Sequence, residues 1–401
     1  MNAAGASPKR LLSLDVMRGA TIVAMITVNN PGTWSALYWP LGHADWHGWT
    51  PTDLIFPFFL FMVGVAMAYS FSKYTNGERP GAAVWWRITR RVALLILLGL
   101  LLAASGQLYG LMLGQRSSLD FSVLRWPGVL QRIGLAYLGA SAIVLLLKPK
   151  LQAAAGVLLL VVYTLLVSLL PANVAPDQRL TTEGNIVRVV DLALIGPDHM
   201  WTRATTRPTD PEGLLSTLPS IVTALIGYAT GRRLKQNPIS TAEVTRLLFV
   251  GLAIAAAGQA WNWGPHPGWG MPINKALWTP SFVLLSGGLG MATLAACLWL
   301  FDIVGAGNKT LGRVATAFQM VGVNAIFAFV ASGMVARLMT VLKVGDQTLK
   351  GWVYENLISQ PLTAVGLSDP KLASATYAAV FVACWWLVLW GMWKKGWTIR
   401  V

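Results

Sequence analysis

Apolar residues in this chain come in long runs separated by short polar stretches, and the runs have the length of membrane spans. A helix needs about 20 apolar residues to cross the hydrocarbon layer, and runs of that order recur from residue 11 to residue 393. They predict ten helices, at 11–28, 53–72, 92–104 with a backward extension through Trp85 and Trp86, from near Pro127 to 147, 151–170, 214–230, 247–261, 280–301, 318–341 and 375–393. Pro127 suits a first helical turn, where a missing N–H leaves no bond unmade. Between 171 and 211 hydrophobicity collapses, which predicts a polar insert at about 171–212 whose fold the pattern leaves open. The expected fold class is all-α, one polytopic membrane domain over 1–401.

Composition strengthens this picture. A chain that is 55% hydrophobic and 12% charged, with mean hydropathy +0.57, has more apolar surface than one soluble core can bury. The net charge of +15 does not point to nucleic acid, because there is no basic tail and no basic–aromatic interleaving. In a membrane protein such an excess anchors cytoplasmic loops. Nineteen of the 31 cations (Lys9, Arg10, Arg18, Lys73, Arg79, Arg87, Arg90, Arg91, Lys148, Lys150, Arg232, Arg233, Lys235, Arg246, Lys309, Arg313, Lys394, Lys395 and Arg400) fall on one side of a ten-span topology. That orients the chain N-in and C-in, with His43 outside the cytoplasm. Cys297 and Cys384 each sit in an apolar run, a pattern of neither a disulfide framework nor a thiolate metal site. Residues 1–9 lack a signal-peptide cleavage site, so the first run is expected to stay as a membrane helix. No short-period repeat is present.

Candidate chemistry concentrates between the first two spans. The stretch from His43 to Asp53 holds two of the four histidines, His43 and His47, and two of the sixteen carboxylates, Asp45 and Asp53. A loop folded back on itself brings His43 and Asp53 together, so that the carboxylate fixes the imidazole tautomer and leaves the other nitrogen as a base. Asp53 at a helix start is equally a helix cap, and Asp45 and His47 compete for the catalytic role. Trp46 and Trp49 read either as substrate contacts or as an interfacial aromatic belt. No third ligand lies near His43 and His47, and no metal is expected.

Within the spans, Asp15, Arg18, Gln131, Arg132 and Asn324 are costly unless they line a cavity or pair with one another, though such residues also serve as interhelical glue. Asp15 and Arg18 share a helix face. Glu212, Asn274 and Lys275 fall at membrane edges on the His43 side. Arg87, Arg90 and Arg91 form a basic cluster suited to anionic lipid or to nucleotide phosphates. No Walker motif or strand–turn–helix dinucleotide site is present.

Several blocks, in order, resemble the heparan-α-glucosaminide N-acetyltransferase family of membrane enzymes. They are Leu14-Asp15-Val-Met-Arg18-Gly19, the block from His43-Ala-Asp-Trp46 to Pro57, Arg125 to Arg132, Asp210-Pro-Glu212-Gly213, Pro272-Ile-Asn274-Lys275 with Leu277 and Trp278, and Gly322-Val-Asn324. The resemblance implies a multi-helix acyltransferase that moves an acetyl group from cytosolic acetyl-CoA to the amine of a glucosamine-type sugar on the opposite side. It puts the active-site histidine on His43 and its acidic partner on Asp53. It aligns Asn29 with an asparagine near the site and Arg91 and Arg132 with family arginines, and the expected CoA contacts are Arg91, Arg132, Asn29 and Arg18. Trp46, Glu212, Asn274 and Lys275 are the expected sugar contacts. Departures are His47, in place of another residue, and the lack of the extra N-terminal luminal region and span of lysosomal members. These favour a member in the bacterial inner membrane acting on free glucosamine or a cell-wall amino sugar; by analogy it is a homodimer. The rival class is an amino-sugar transporter, which ten helices and intramembrane polar residues also suit.

Overall fold

The structure, a computed structural model, describes residues 11–75, 80–201 and 210–399. Lys9, Arg10, Arg79 and Arg400, four of the nineteen cations behind the expected orientation, lie outside the described residues, as do residues 202–209 of the polar insert. The long apolar runs are helices, the one open conformation that satisfies every backbone N–H and C=O internally where there is no water. In chain order the main ones are α1 (Leu12–Asn29), α2 (Pro51–Ser70), α3 (Ala82–Met112), α4 (Val129–Leu146), α5 (Pro149–Leu169), α6 (Ile186–Ile195), α7 (Thr217–Gln236), α8 (Thr241–Asn262), α9 (Pro280–Cys297), α10 (Lys309–Val323), α11 (Ala325–Val341) and α12 (Pro370–Lys394). The protein is an all-α polytopic membrane protein; the only strands among the described residues are a two-residue antiparallel pair, Lys343–Val344 with Gln347–Thr348.

By length and apolarity, eight of these helices can cross a membrane: α1 to α5, α8, α9 and α12. Counting α10 and α11 as one span makes nine. Two of the ten predicted spans therefore come out differently. The run 318–341 is broken at Asn324, which leaves the helical region (φ −111°, ψ 31°), and its halves bend by 70°. The run 214–230 becomes α7, which ends in Arg232, Arg233 and Lys235 and is not apolar enough for the same test. Its neighbours explain why: α7 packs against α2, α4, α5 and α9, and most of its residues are buried by protein. The third span is also longer than predicted, starting at Ala82 with Arg87, Arg90 and Arg91 in its first turns.

The α2–α7 crossing depends on small residues. A Cβ on Gly64 would lie 1.8 Å from the carbonyl oxygen of Ala224, and one on Gly227 would lie 1.9 Å from that of Phe61. With lipid as apolar as any side chain, such close backbone approach is what drives helices together. The insert contributes α6, whose N-terminus is capped by Asn185 accepting from the Arg188 N–H at 2.7 Å. Val187, Asp191 and Ile195, spaced by four, form its buried stripe.

Candidate active site

The site is built on the first turn of α2. Asp53 is its third residue, and Asp53 Oδ2 accepts from the Thr50 N–H at 3.1 Å, as in a capping box, and from the Ala44 N–H at 3.0 Å. Oδ1 lies 2.6 Å from His43 Nδ1. A carboxylate offers only lone pairs, so the hydrogen in that contact belongs to Nδ1, and in the neutral ring the lone pair is on Nε2. The Thr50 hydroxyl donates to the Gly42 carbonyl at 2.6 Å, and Thr52 to that of Pro40 at 2.8 Å, which ties the loop before His43 to the helix start. Asp53 thus caps the helix and orients the histidine at once. Its side chain is buried, whereas that of His43 is 50% exposed.

A second segment, 274–279, closes over the first. Asn274 is fully buried: its amide donates to the Trp46 carbonyl at 2.9 Å and its side-chain oxygen accepts from the Leu277 N–H at 2.8 Å. The Trp46 indole donates in turn to the Leu180 carbonyl at 2.8 Å, fastening the insert to the loop. Trp278 takes a positive φ of 49°, costly for a large side chain, and is held by complete burial between Phe56 and Phe282 and under the Arg132 guanidinium. Fixed this way, the segment puts Lys275 Nζ 3.3 Å from Asp53 Oδ1 and 3.2 Å from His43 Nδ1.

Behind the site lies a charged cluster. Arg125 makes a forked pair with Asp210 at 2.8 and 2.6 Å and also binds Glu212. Arg132, 1% exposed, donates to the Gly213 carbonyl at 2.9 Å and to Ser216, while its Nε and Nη1 have no hydrogen-bond partner. Burial opposes the charge on Arg125, but Asp210 and Glu212 outweigh it and raise its pKa. Burial likewise works against the Glu212 carboxylate, and Arg125 and Arg132 hold its pKa down. Asp191 goes the other way. Burial pushes it up to about 6, even though its Oδ1 accepts from the N–H groups of Leu214 and Leu215.

A cavity of about 270 Å³ runs between α1, α2, α3, α4 and the α10–α11 break. Arg18 and Arg91 line it, with Ile22, Met25, Phe59 and Met62 among its apolar walls. Arg18 pairs with Asp15 at 2.9 Å. Arg91 lies 5.0 Å from the Tyr137 ring, and its buried Nε has no hydrogen-bond partner. Eleven residues of α1 separate Arg18 from Asn29, a rise of about 16 Å.

The structure therefore gathers the expected residues into three groups. His43, Asp53 and Lys275 meet directly, with Trp46 and Asn274 bracing them from behind. Arg18 and Arg91 share the cavity, while Asn29 is exposed at the end of α1 nearest the His43 loop. Arg132, grouped with them by the resemblance, is instead bound to the turn after Glu212. Asp53 is hydrogen-bonded to His43 and Ala44 rather than to Asp45 or His47, and His47 lies instead beside Asn274. Arg125 and Asp191 were not singled out from the sequence. The nearness of their motifs to Glu212 becomes visible only once Arg125 is seen to bridge 85 residues to Asp210.

Fold and site together define a polytopic membrane protein with a histidine–carboxylate centre at one end of its bundle and an arginine-lined cavity inside it. Residues 10–259 match the family described as "Heparan-alpha-glucosaminide N-acetyltransferase, catalytic", and the chain belongs to that family. It is 27% identical over 370 residues to the heparan-alpha-glucosaminide N-acetyltransferase of Homo sapiens, covering 81% of this chain and 53% of the relative. With that of Mus musculus it shares 26% identity over 374 residues, with the same coverage. The chain thus spans about half the length of the curated relatives it matches.

Proposed function

We propose that the protein is a transmembrane acetyltransferase that moves an acetyl group from acetyl-CoA to the amine of a glucosamine-type sugar. The observation that carries this reading is the His43–Asp53 pair, with Nδ1 held at 2.6 Å and Nε2 left open on a half-exposed ring. In this scheme the sugar amine attacks the thioester carbonyl, and His43 Nε2 takes the proton the nitrogen loses. The carbon–sulfur bond then breaks, and the thiolate of CoA is protonated. Lys275, beside Asp53, keeps the carboxylate in place, and Trp46 and Asn274 support the acceptor pocket through the loop they brace. Arg18 and Arg91 suit the phosphates of CoA, and the apolar walls suit its pantetheine arm. The cavity reaches Met25, one turn below Asn29.

On this reading the donor enters from the cytosol and His43 acts on the far face of a bacterial inner membrane, in a chain that works as a homodimer. Free glucosamine or a cell-wall amino sugar is the acceptor. The test incubates purified protein in detergent with acetyl-CoA and a panel of amino sugars, and reads acetylated product by mass. Without compartments a transporter consumes no acetyl-CoA. His43→Ala should lose about 10²–10⁴ in rate, the usual contribution of a general base, while folding normally; wild-type turnover by this variant sinks the assignment. Trapping labelled acetyl on the protein without acceptor would route the reaction through an acetyl-histidine.

A further inference from the structure

Asn324 is an intramembrane polar residue that the site leaves unexplained. It is 1% exposed and sits at the 70° break between α10 and α11. Its side chain is occupied by neither helix. The amide nitrogen donates to the Trp397 carbonyl at 3.1 Å, and the amide oxygen accepts from the Ile399 N–H at 2.9 Å. An Asn amide used in this way stands in for a peptide group and grips an extended segment at two points.

The chain is delivered there by the end of α12. Gly396 takes φ +68°, and the Trp397 N–H reaches back to the Met392 carbonyl at 2.9 Å, the Schellman arrangement that turns a chain off a helix. The turn carries Ile399 to the cavity, where it joins Gly322, Val323, Ala325 and Ile326 from both sides of the break. Ile399 is also 47% exposed, so it stands at the rim rather than deep inside.

The surrounding walls differ in how firmly they are held. On the α1 side, a Cβ on Gly19 would lie 1.8 Å from the Phe318 carbonyl oxygen and one on Gly322 2.2 Å from that of Asp15. Backbone meets backbone, so α10 cannot slide relative to the helix that carries Arg18. Residues 397–399 are instead fixed to the break through one amide, and two hydrogen bonds are net worth only a small fraction of a helix interface.

We propose that residues 397–399 form the releasable wall of the cavity, latched by Asn324, and that opening this latch sets how fast a CoA ligand enters and leaves. The proposal rests on the reading that the cavity takes the acyl donor. It lies outside the segment 10–259 matched by the family.

The experiment measures CoA binding and release with full-length purified protein, using CoA itself as the probe. Asn324→Ala should take up and release CoA about tenfold faster, as expected for a latch held by two hydrogen bonds, with CoA affinity and the KM for the amino sugar unchanged. Ile399→Ala should speed release, and Ile399→Trp should slow entry. These two keep the proposal testable if Asn324→Ala misfolds. Wild-type CoA exchange in folded Asn324→Ala, or in both Ile399 variants, overturns it. Arg91→Ala separates the two readings: if it leaves CoA affinity unchanged, the donor assignment of the cavity fails; if it weakens binding while the latch variants do not alter exchange, only the latch fails.

Discussion

Asp53 performs two tasks with its two oxygens. Oδ2 gathers the Ala44 and Thr50 N–H groups at the start of α2, and Oδ1 faces His43 and Lys275. An asparagine has one acceptor oxygen to share between these duties, and its NH2 would face either N–H groups or the Lys275 ammonium. Asp53→Asn should therefore lower activity by 10²-fold or more and also lower the melting temperature, whereas His43→Ala lowers activity alone; paired turnover and thermal-shift measurements distinguish them. Asp191 gives a prediction with a sign. Its carboxyl is pushed up to about 6 by burial, so the folded state holds a proton that the unfolded chain releases near 3.8. Between roughly pH 4 and pH 6 the native state binds more protons, and stability contributed by this group falls as pH rises through that window. In Asp191→Asn that slope should disappear from a plot of melting temperature against pH.

At the scale of elements, the small-residue crossings set the tolerances. Gly64 of α2 faces the Ala224 carbonyl of α7, and that contact leaves no room for a methyl group. Gly64→Ala should cost about 1–3 kcal/mol through overpacking, read as a lower melting temperature in detergent. Most spans were legible in the sequence because a run such as 151–170 admits few structures other than a helix once water is absent. The break at Asn324 was not legible. One polar residue inside an apolar run looks the same whether it pairs across helices or ends one, and its partners lie more than 70 residues away. The insert was legible only as polarity; α6 emerged from an amphipathic stripe only ten residues long.

For the whole molecule, what the sequence revealed of the site follows contact distance along the chain. The His43–Asp53 pair spans ten residues and shares a helix-start signature, so it stood out. Lys275 reaches the same carboxylate across 222 residues, and its position depends on Trp278 in a strained conformation that no local pattern announces. The convergence of Arg18 and Arg91 on one cavity is likewise a property of packing, while their charge within apolar runs was visible at once.

The modest apolarity of α7 bears on how the protein is made. A segment short of the apolarity that holds a helix in lipid relies on neighbouring helices, and three of its four packing partners, α2, α4 and α5, precede it in the chain while α9 follows. The expected consequence is an order of membrane integration: α7 should leave the insertion machinery against the earlier helices rather than into lipid, so that deleting α2 lowers the integration of α7 in a glycosylation-mapping assay.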